Sequence, residues 1–213
     1  MTGPQPMIEL WRGAAKENRL RPDHQVLAAR AQSDWPQLEI TKQGVVKQSA
    51  TVRVDLGGIA KGYAIDRAVE VLQGEDIESG VVDIGGDVRI FGVRDEQHAF
   101  PVQIKNPAGG IFETLHLTEA GVCTSGDYAR PLKIQGRSYS HIIDPRTGQP
   151  ASGAFSVTVI AKDAQTADIW ATALSVLGDE GLTKLPPGVE ATTLAHETDG
   201  KTGIARSKGF PRP

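Results

Sequence analysis

Two stretches of this sequence switch the spacing of their apolar residues to a helical period, and short apolar strand runs stand on both sides of each. In the first, Ile65, Ala68, Val69 and Leu72 recur at helical intervals, Asp66, Arg67, Glu70 and Gln73 take the outward positions, and Gly74 is the stop. The second is a helix expected over about 164–177, closed by Gly178, with a further helical turn over 180–185. Strands are expected over 38–41 and 45–47 (a hairpin), 52–56, 80–84, 88–91, 102–105, 114–117, 132–134, 138–142, 156–161, 191–195 and 203–205. In the 156–161 run Val157, Val159 and Ala161 alternate with polar or solvent-facing positions. A third helix is expected from Pro22-Asp23 to about Ser33, with Leu27, Ala28 and Ala31 on one face and Trp35-Pro36 ending it, and residues 1–10 read as loop. Strand runs broken irregularly by helices argue for an α+β fold, with mixed or antiparallel sheets and flanking helices, rather than a regular βαβ array.

Composition narrows the function classes. Its 213 residues suffice for one sizeable domain or two small ones, a single domain over 1–213 being expected, and 39% hydrophobic with 23% charged residues suits a globular chain rather than a disordered one. The net charge of −3, with no basic stripe carrying interleaved aromatics, removes the electrostatic case for nucleic acid. A single cysteine, Cys123, excludes an internal disulfide and a multi-thiolate metal site. No run approaches the roughly 18 apolar residues that span a membrane, and residues 1–6 show no leader pattern.

Four constellations are suited to chemistry. In Asp55-Leu56-Gly57-Gly58-Ile59-Ala60-Lys61-Gly62 a strand ends on a carboxylate, glycines follow and a helix begins. Glycines there let backbone N–H groups approach an anion favoured by the helix dipole, and Lys61 adds a point charge. The alternative is a tight turn that needs glycine for packing. Gly85-Gly86-Asp87 either seats a ligand or forms a bulge. Thr124-Ser125-Gly126-Asp127-Tyr128 precedes Ser140-His141-Ile142-Ile143-Asp144-Pro145-Arg146-Thr147-Gly148, where His141 can exchange protons near neutral pH. Asp144 either orients that histidine or opens an Asp-Pro-Arg-Thr-Gly turn. Asp168 and Thr172, four apart on one helix, offer hard oxygens suited to Mg²⁺ or Ca²⁺; the alternative is a carboxylate meeting the helix dipole and a hydroxyl bonded back to its helix.

Taken in order, the segments 55–68, 85–92, 124–128, 140–148 and 167–178 closely resemble the ApbE family of FAD:protein FMN transferases. The resemblance implies an ApbE-like, T-fold-related architecture, FAD as substrate, Mg²⁺ as cofactor, and transfer of FMN to a Thr or Ser hydroxyl of a target flavoprotein subunit with release of AMP. It also implies roles. Asp55, Lys61 and the main chain at Ile143 would contact FAD. Gly58, through its carbonyl, Asp168 and Thr172 would hold the metal, with Ala171 standing where some relatives place a second acid. His141 would activate the attacking hydroxyl. FAD hydrolysis to FMN and AMP, or flavin binding without catalysis, are the alternative activities. Family members usually carry a further segment ahead of the point matching Thr2-Gly3-Pro4, holding a signal or lipid anchor and part of the flavin surface. The chain is therefore expected to be a fragment, a misannotated start or a reduced relative, in a family of the bacterial periplasm and inner membrane.

Overall fold

Both helical-period runs form helices in the computed structural model, which describes residues 3–33, 38–50, 52–94, 98–107, 109–126, 131–196 and 202–211. In chain order the elements are β1 (Gly3–Pro4), α1 (Gln5–Lys16), α2 (Asp23–Ala31), β2 (Leu38–Thr41), β3 (Gly44–Lys47), β4 (Val54–Asp55), α3 (Ala60–Gly74), β5 (Gly80–Ile84), β6 (Asp87–Phe91), β7 (Phe100–Lys105), β8 (Ile111–Leu117) and β9 (Ala120–Gly126). There follow β10 (Leu132–Ile134), β11 (Arg137–Tyr139), β12 (Ser156–Ala161), α4 (Ala164–Leu177), a 3₁₀ turn (Gly178–Lys184), β13 (Glu190–His196) and β14 (Thr202–Arg206). Every strand pair among the described residues is antiparallel, so the expected α+β class holds. No helix among them is long and apolar enough to cross a membrane.

The chain packs as two compact units, Met1–Gly57 with Ala129–Ser152, and Gly58–Tyr128 with Gly153–Pro213. The second is built on a six-stranded sheet in the order β14-β13-β12-β9-β6-β5. One of its cores joins Cys123, Val157, Val159 and Ala161 to Ile65 of α3 and Ala164, Ala167, Ala171 and Leu174 of α4. A second core sets Val88, Val122 and Ile160 against Ile104 and Leu115 of the β7–β8 hairpin, with Phe210. Because β12 lies between these two layers it is buried along its whole length, which corrects the expected alternation with solvent. The central strand β9 had no expected counterpart, since Gly121, Cys123 and Ser125 dilute its β-branched signal.

The first unit is smaller. Met7, Trp11 and Ala14 of α1 pack with Val26 and Ala29 of α2, Ile134 of β10 and Ile143. Residues 5–10 are thus helix, not loop. Pro6 is tolerated because the first turn needs no donor there, and the i, i+4, i+7 spacing of Met7, Trp11 and Ala14 is the helical signal that the flanking prolines mask. The buried face of α2 is Val26 and Ala29, while Leu27 is exposed, so the expected Leu27, Ala28 and Ala31 face is also corrected. The expected stop at Trp35-Pro36 lies outside the described residues. The strands at 52–56 and 138–142 shorten to β4 and β11.

Candidate functional site

The approach of α3 to α4 sets the geometry of the second unit's polar centre. A Cβ on Gly62 would overlap the Ala164 carbonyl, and one on Gly121 of β9 would overlap the Asp163–Ala164 peptide, so only glycine allows these backbones to meet. At that contact the Gly62 N–H donates to Asp168 Oδ2 at 3.0 Å. Asp168 is 3% exposed, and burial pushes its carboxyl above the usual range, with the backbone N–H groups of Gly62 and Lys61 pulling the other way. Four residues on, Thr172 lies against Gly58, where a Cβ would stand 3.0 Å from the threonine Oγ1. The start of α3 thus meets one face of α4 at two successive points, Gly58 against Thr172 and Gly62 against Asp168.

The alternative of a carboxylate meeting a helix dipole is realised at α3 and not at α4, because the Gly62 N–H that Asp168 accepts lies in the first turn of α3. The N-cap of α4 is Asp163, whose Oδ1 accepts from Thr166 N at 2.7 Å. Its first N–H groups are taken by Asp66, whose oxygens accept from Ala164 N at 2.9 Å and Gln165 N at 2.8 Å. Asp66 was expected to face outward. Instead it turns toward α4 with Arg89 at 3.8 Å, a role that helical periodicity does not reveal because the partner is 98 residues away.

Lys61 is already engaged. Its ammonium is bound to Asp87, a carboxylate 2% exposed at the start of β6. The other oxygen of Asp87 accepts the Thr124 N–H at 3.0 Å. Burial would lower the Lys61 pKa, but the bond to Asp87 and the field of Asp168 outweigh it and raise it. Cys123, which donates to the Ala164 carbonyl at 3.3 Å, is held protonated by burial. Asp87 reaches its place through the β5–β6 hairpin. Gly85 and Gly86 (φ +65° and +91°) form a two-residue turn between the paired Ile84 and Asp87, so these glycines shape a hairpin rather than a bulge.

The remaining sequence candidates belong to the first unit. Asp55 accepts the Gly57 N–H at 2.7 Å, closing the turn after β4. Ile143 puts its side chain in the core with Met7 and Trp11, and its backbone bridges Pro150. His141 is half-buried beside Ser140, whose Oγ accepts the Ile142 N–H at 3.0 Å. Asp144 takes the turn role: its carboxylate accepts from the backbone N and the guanidinium of Arg146, and the Asp144 carbonyl accepts the Gly148 N–H at 2.8 Å. Asp127 and Tyr128 lie outside the described residues. A shallow depression of about 420 Å³ opens elsewhere on the second unit, between His116, Glu119, Ile160, Lys162 and Gly188, and no predicted site residue lines it.

A six-stranded antiparallel sheet, two helices in backbone contact and, at their crossing, a buried carboxylate with a half-buried hydroxyl one turn on define an α+β protein with a polar centre. Residues 3–192 match the model of the ApbE family, and the chain belongs to that family. It is 36% identical over 182 residues to a FAD:protein FMN transferase of Vibrio cholerae, covering 82% of this chain and 54% of the relative. The solved structure of the flavin transferase ApbE from Vibrio cholerae superposes with a TM-score of 0.81 at 30% identity, over 98% of this chain and 69% of that one. The ApbE protein of Thermotoga maritima gives 0.79 at 34% identity, over 90% and 63%. The chain spans about half the length of the curated relatives it matches.

Proposed function

We propose that this chain serves the flavin-transfer reaction of its family, moving the FMN part of FAD onto a Thr or Ser hydroxyl of a target flavoprotein with loss of AMP. The observation that carries the reading is the meeting of Gly58 with Thr172 and of Gly62 with Asp168 at the α3–α4 crossing. Asp87, Asp168 and Lys61 together leave one net negative charge there, which favours a cation over a bare anion. The Asp168 carboxylate and the Thr172 hydroxyl, with the Gly58 carbonyl that the family resemblance assigns, would all be hard oxygens fitting Mg²⁺. Among the described residues no three His, Cys, Asp or Glu side chains cluster, and Mg²⁺ commonly takes one or two carboxylates and leaves its other positions to substrate phosphates and water. Bound there, the ion would neutralise charge on the pyrophosphate oxygens.

The chain's own residues supply the rest. Lys61 faces the phosphate charge, and the α3–α4 contact fixes Asp168 and Thr172 without rearrangement. His141, assigned by the family resemblance, accepts the proton of the attacking hydroxyl as its oxygen bonds to the FMN phosphorus and the bond to the AMP phosphate breaks.

Incubation with FAD, Mg²⁺ and a target bearing the acceptor Thr should give a covalently flavinylated target and one AMP per flavin. Asp168→Ala should cut the rate by about 100-fold or more while the protein stays folded. FMN and AMP released without a target would mark the hydrolytic alternative. Intact protein yielding neither labelled target nor AMP would sink the reading.

A further inference from the structure

The Lys61–Asp87 pair is a feature of the second unit that the proposed reaction leaves unexplained. Lysine is a flexible residue with a four-carbon stem, and its use as a phosphate contact ordinarily costs rotamer entropy when the ligand arrives. Here the end of that stem is already tied. Asp87 is buried at the first position of β6, and its two oxygens are divided between the Thr124 N–H of β9 and the Lys61 ammonium of α3. The carboxylate is fixed by the sheet, while the lysine side chain remains 45% exposed. A buried carboxylate stripped of its cation is strongly unfavourable, so the pair persists until something of comparable charge competes. The field of Asp168 reaches the same ammonium.

We propose that Asp87 is a positioning residue that acts through Lys61, holding the ammonium in place beside Asp168 so that it meets a phosphate oxygen of the flavin nucleotide without first being ordered. The proposal rests on the flavin-transfer reading. It assigns to the Asp of Gly85-Gly86-Asp87 a part in nucleotide binding that is indirect. Asp87 contributes nothing to the ligand except by way of Lys61. A purely structural counter-ion would behave differently, because its loss would weaken the fold and leave the dependence on Lys61 unchanged.

A double-mutant cycle separates the two. FAD affinity is measured by fluorescence titration in Mg²⁺ without a target protein, and kcat, KM and melting temperature are measured in parallel, for the unaltered chain, Asp87→Asn, Lys61→Ala and the two combined. Glu113→Gln is the control, since it takes an equally buried carboxylate out of its ion pair with Arg206 elsewhere in the same unit. Asp87→Asn keeps an oxygen for the Thr124 N–H and is expected to weaken FAD binding about tenfold, as Lys61→Ala does. The combined variant should bind within about twofold of Lys61→Ala alone, and Glu113→Gln should lower the melting temperature without moving affinity. Should Asp87→Asn fail to fold, the combined variant, which removes both charges together, still gives the comparison with Lys61→Ala. Losses that add in the combined variant, or an Asp87→Asn protein that binds FAD as well as the unaltered chain, overturn the proposal and leave the flavin-transfer reading standing. An unaltered chain that neither binds FAD nor releases AMP overturns both.

Discussion

The two units use polar residues in opposite ways. In the second, a sheet layered on both faces brings α3, α4 and β9 so close that their backbones touch at Gly62 and Gly121. Carboxylates caught in that contact are enclosed and matched: Asp168 with the Gly62 N–H, Asp66 with the start of α4, and Asp87 with Lys61 and Thr124. In the first, two short helices share a core cluster with Ile134 and Ile143, and its carboxylates lie near solvent, Glu9 and Glu17 paired with arginines and Asp55 and Asp144 serving turns. Asp55 closes the turn after β4, and Asp144 closes the loop before Gly148. Close backbone approach creates buried charge that must be held in one arrangement, whereas a small core leaves polar residues to shape loops near solvent.

That contrast is open to direct attack. The largest effect is expected at the helix contact, where Gly62→Val drives a branched side chain into the Ala164 carbonyl. Neither backbone can yield, so the variant should lose more than ~4 kcal/mol or fail to give folded protein. A melting temperature near that of the unaltered chain would show that the contact is loose. In the first unit, Trp11→Phe keeps a ring in the core but leaves the Gly148 carbonyl without the Nε1–H that donates to it at 2.8 Å. We expect a loss of about 2 kcal/mol, with faster amide exchange in residues 5–31 and 132–150. Equal acceleration throughout β12 and α4 would show that the two units do not respond separately. Asp66→Asn retains only one acceptor oxygen for two N–H groups of α4, and about 1 kcal/mol should be lost, read as earlier fraying of 164–167.

Much of this was legible in the sequence, and the omissions have a common cause. The bounds of α4, the β2–β3 hairpin and the α+β class follow from local periodicity and turn chemistry, because each depends on neighbours in the chain. The pairing of Asp168 and Thr172 on one helix face was legible for the same reason. What escaped depends on distant partners. The outward reading of Asp66 was correct for an isolated helix and overturned by a second helix 98 residues on. Asp87 was legible only as part of a Gly-Gly-Asp segment open to a ligand seat or a bulge, and only the assembled sheet sets it beside Lys61 and Thr124. Residues 5–10 were hidden by Pro4 and Pro6, although Met7, Trp11 and Ala14 carry the helical spacing.

The smallest expected effect sharpens the contrast through pH. The bonds from Arg146 hold the Asp144 carboxyl below its ordinary range, against the opposing effect of partial burial. A carboxyl with a depressed folded pKa stabilises the fold at pH values above its unfolded pKa, near ~3.9, and the contribution is lost as pH falls through the lower folded value. Asp144→Asn removes that contribution while an amide oxygen remains for the Arg146 N–H that closes the turn. The Arg146 side chain is 62% exposed, so solvent screening limits the ion pair to about 0.5–1 kcal/mol. Urea unfolding should therefore separate the variant from the unaltered chain by that amount at about pH 7, and the gap should close by about pH 2 as the carboxyl protonates. A gap that persists at low pH would mean that Asp144 acts through the shape of its turn and not its charge. A gap well above 1 kcal/mol at neutral pH would place a tightly held charge in the first unit and erase its difference from the second.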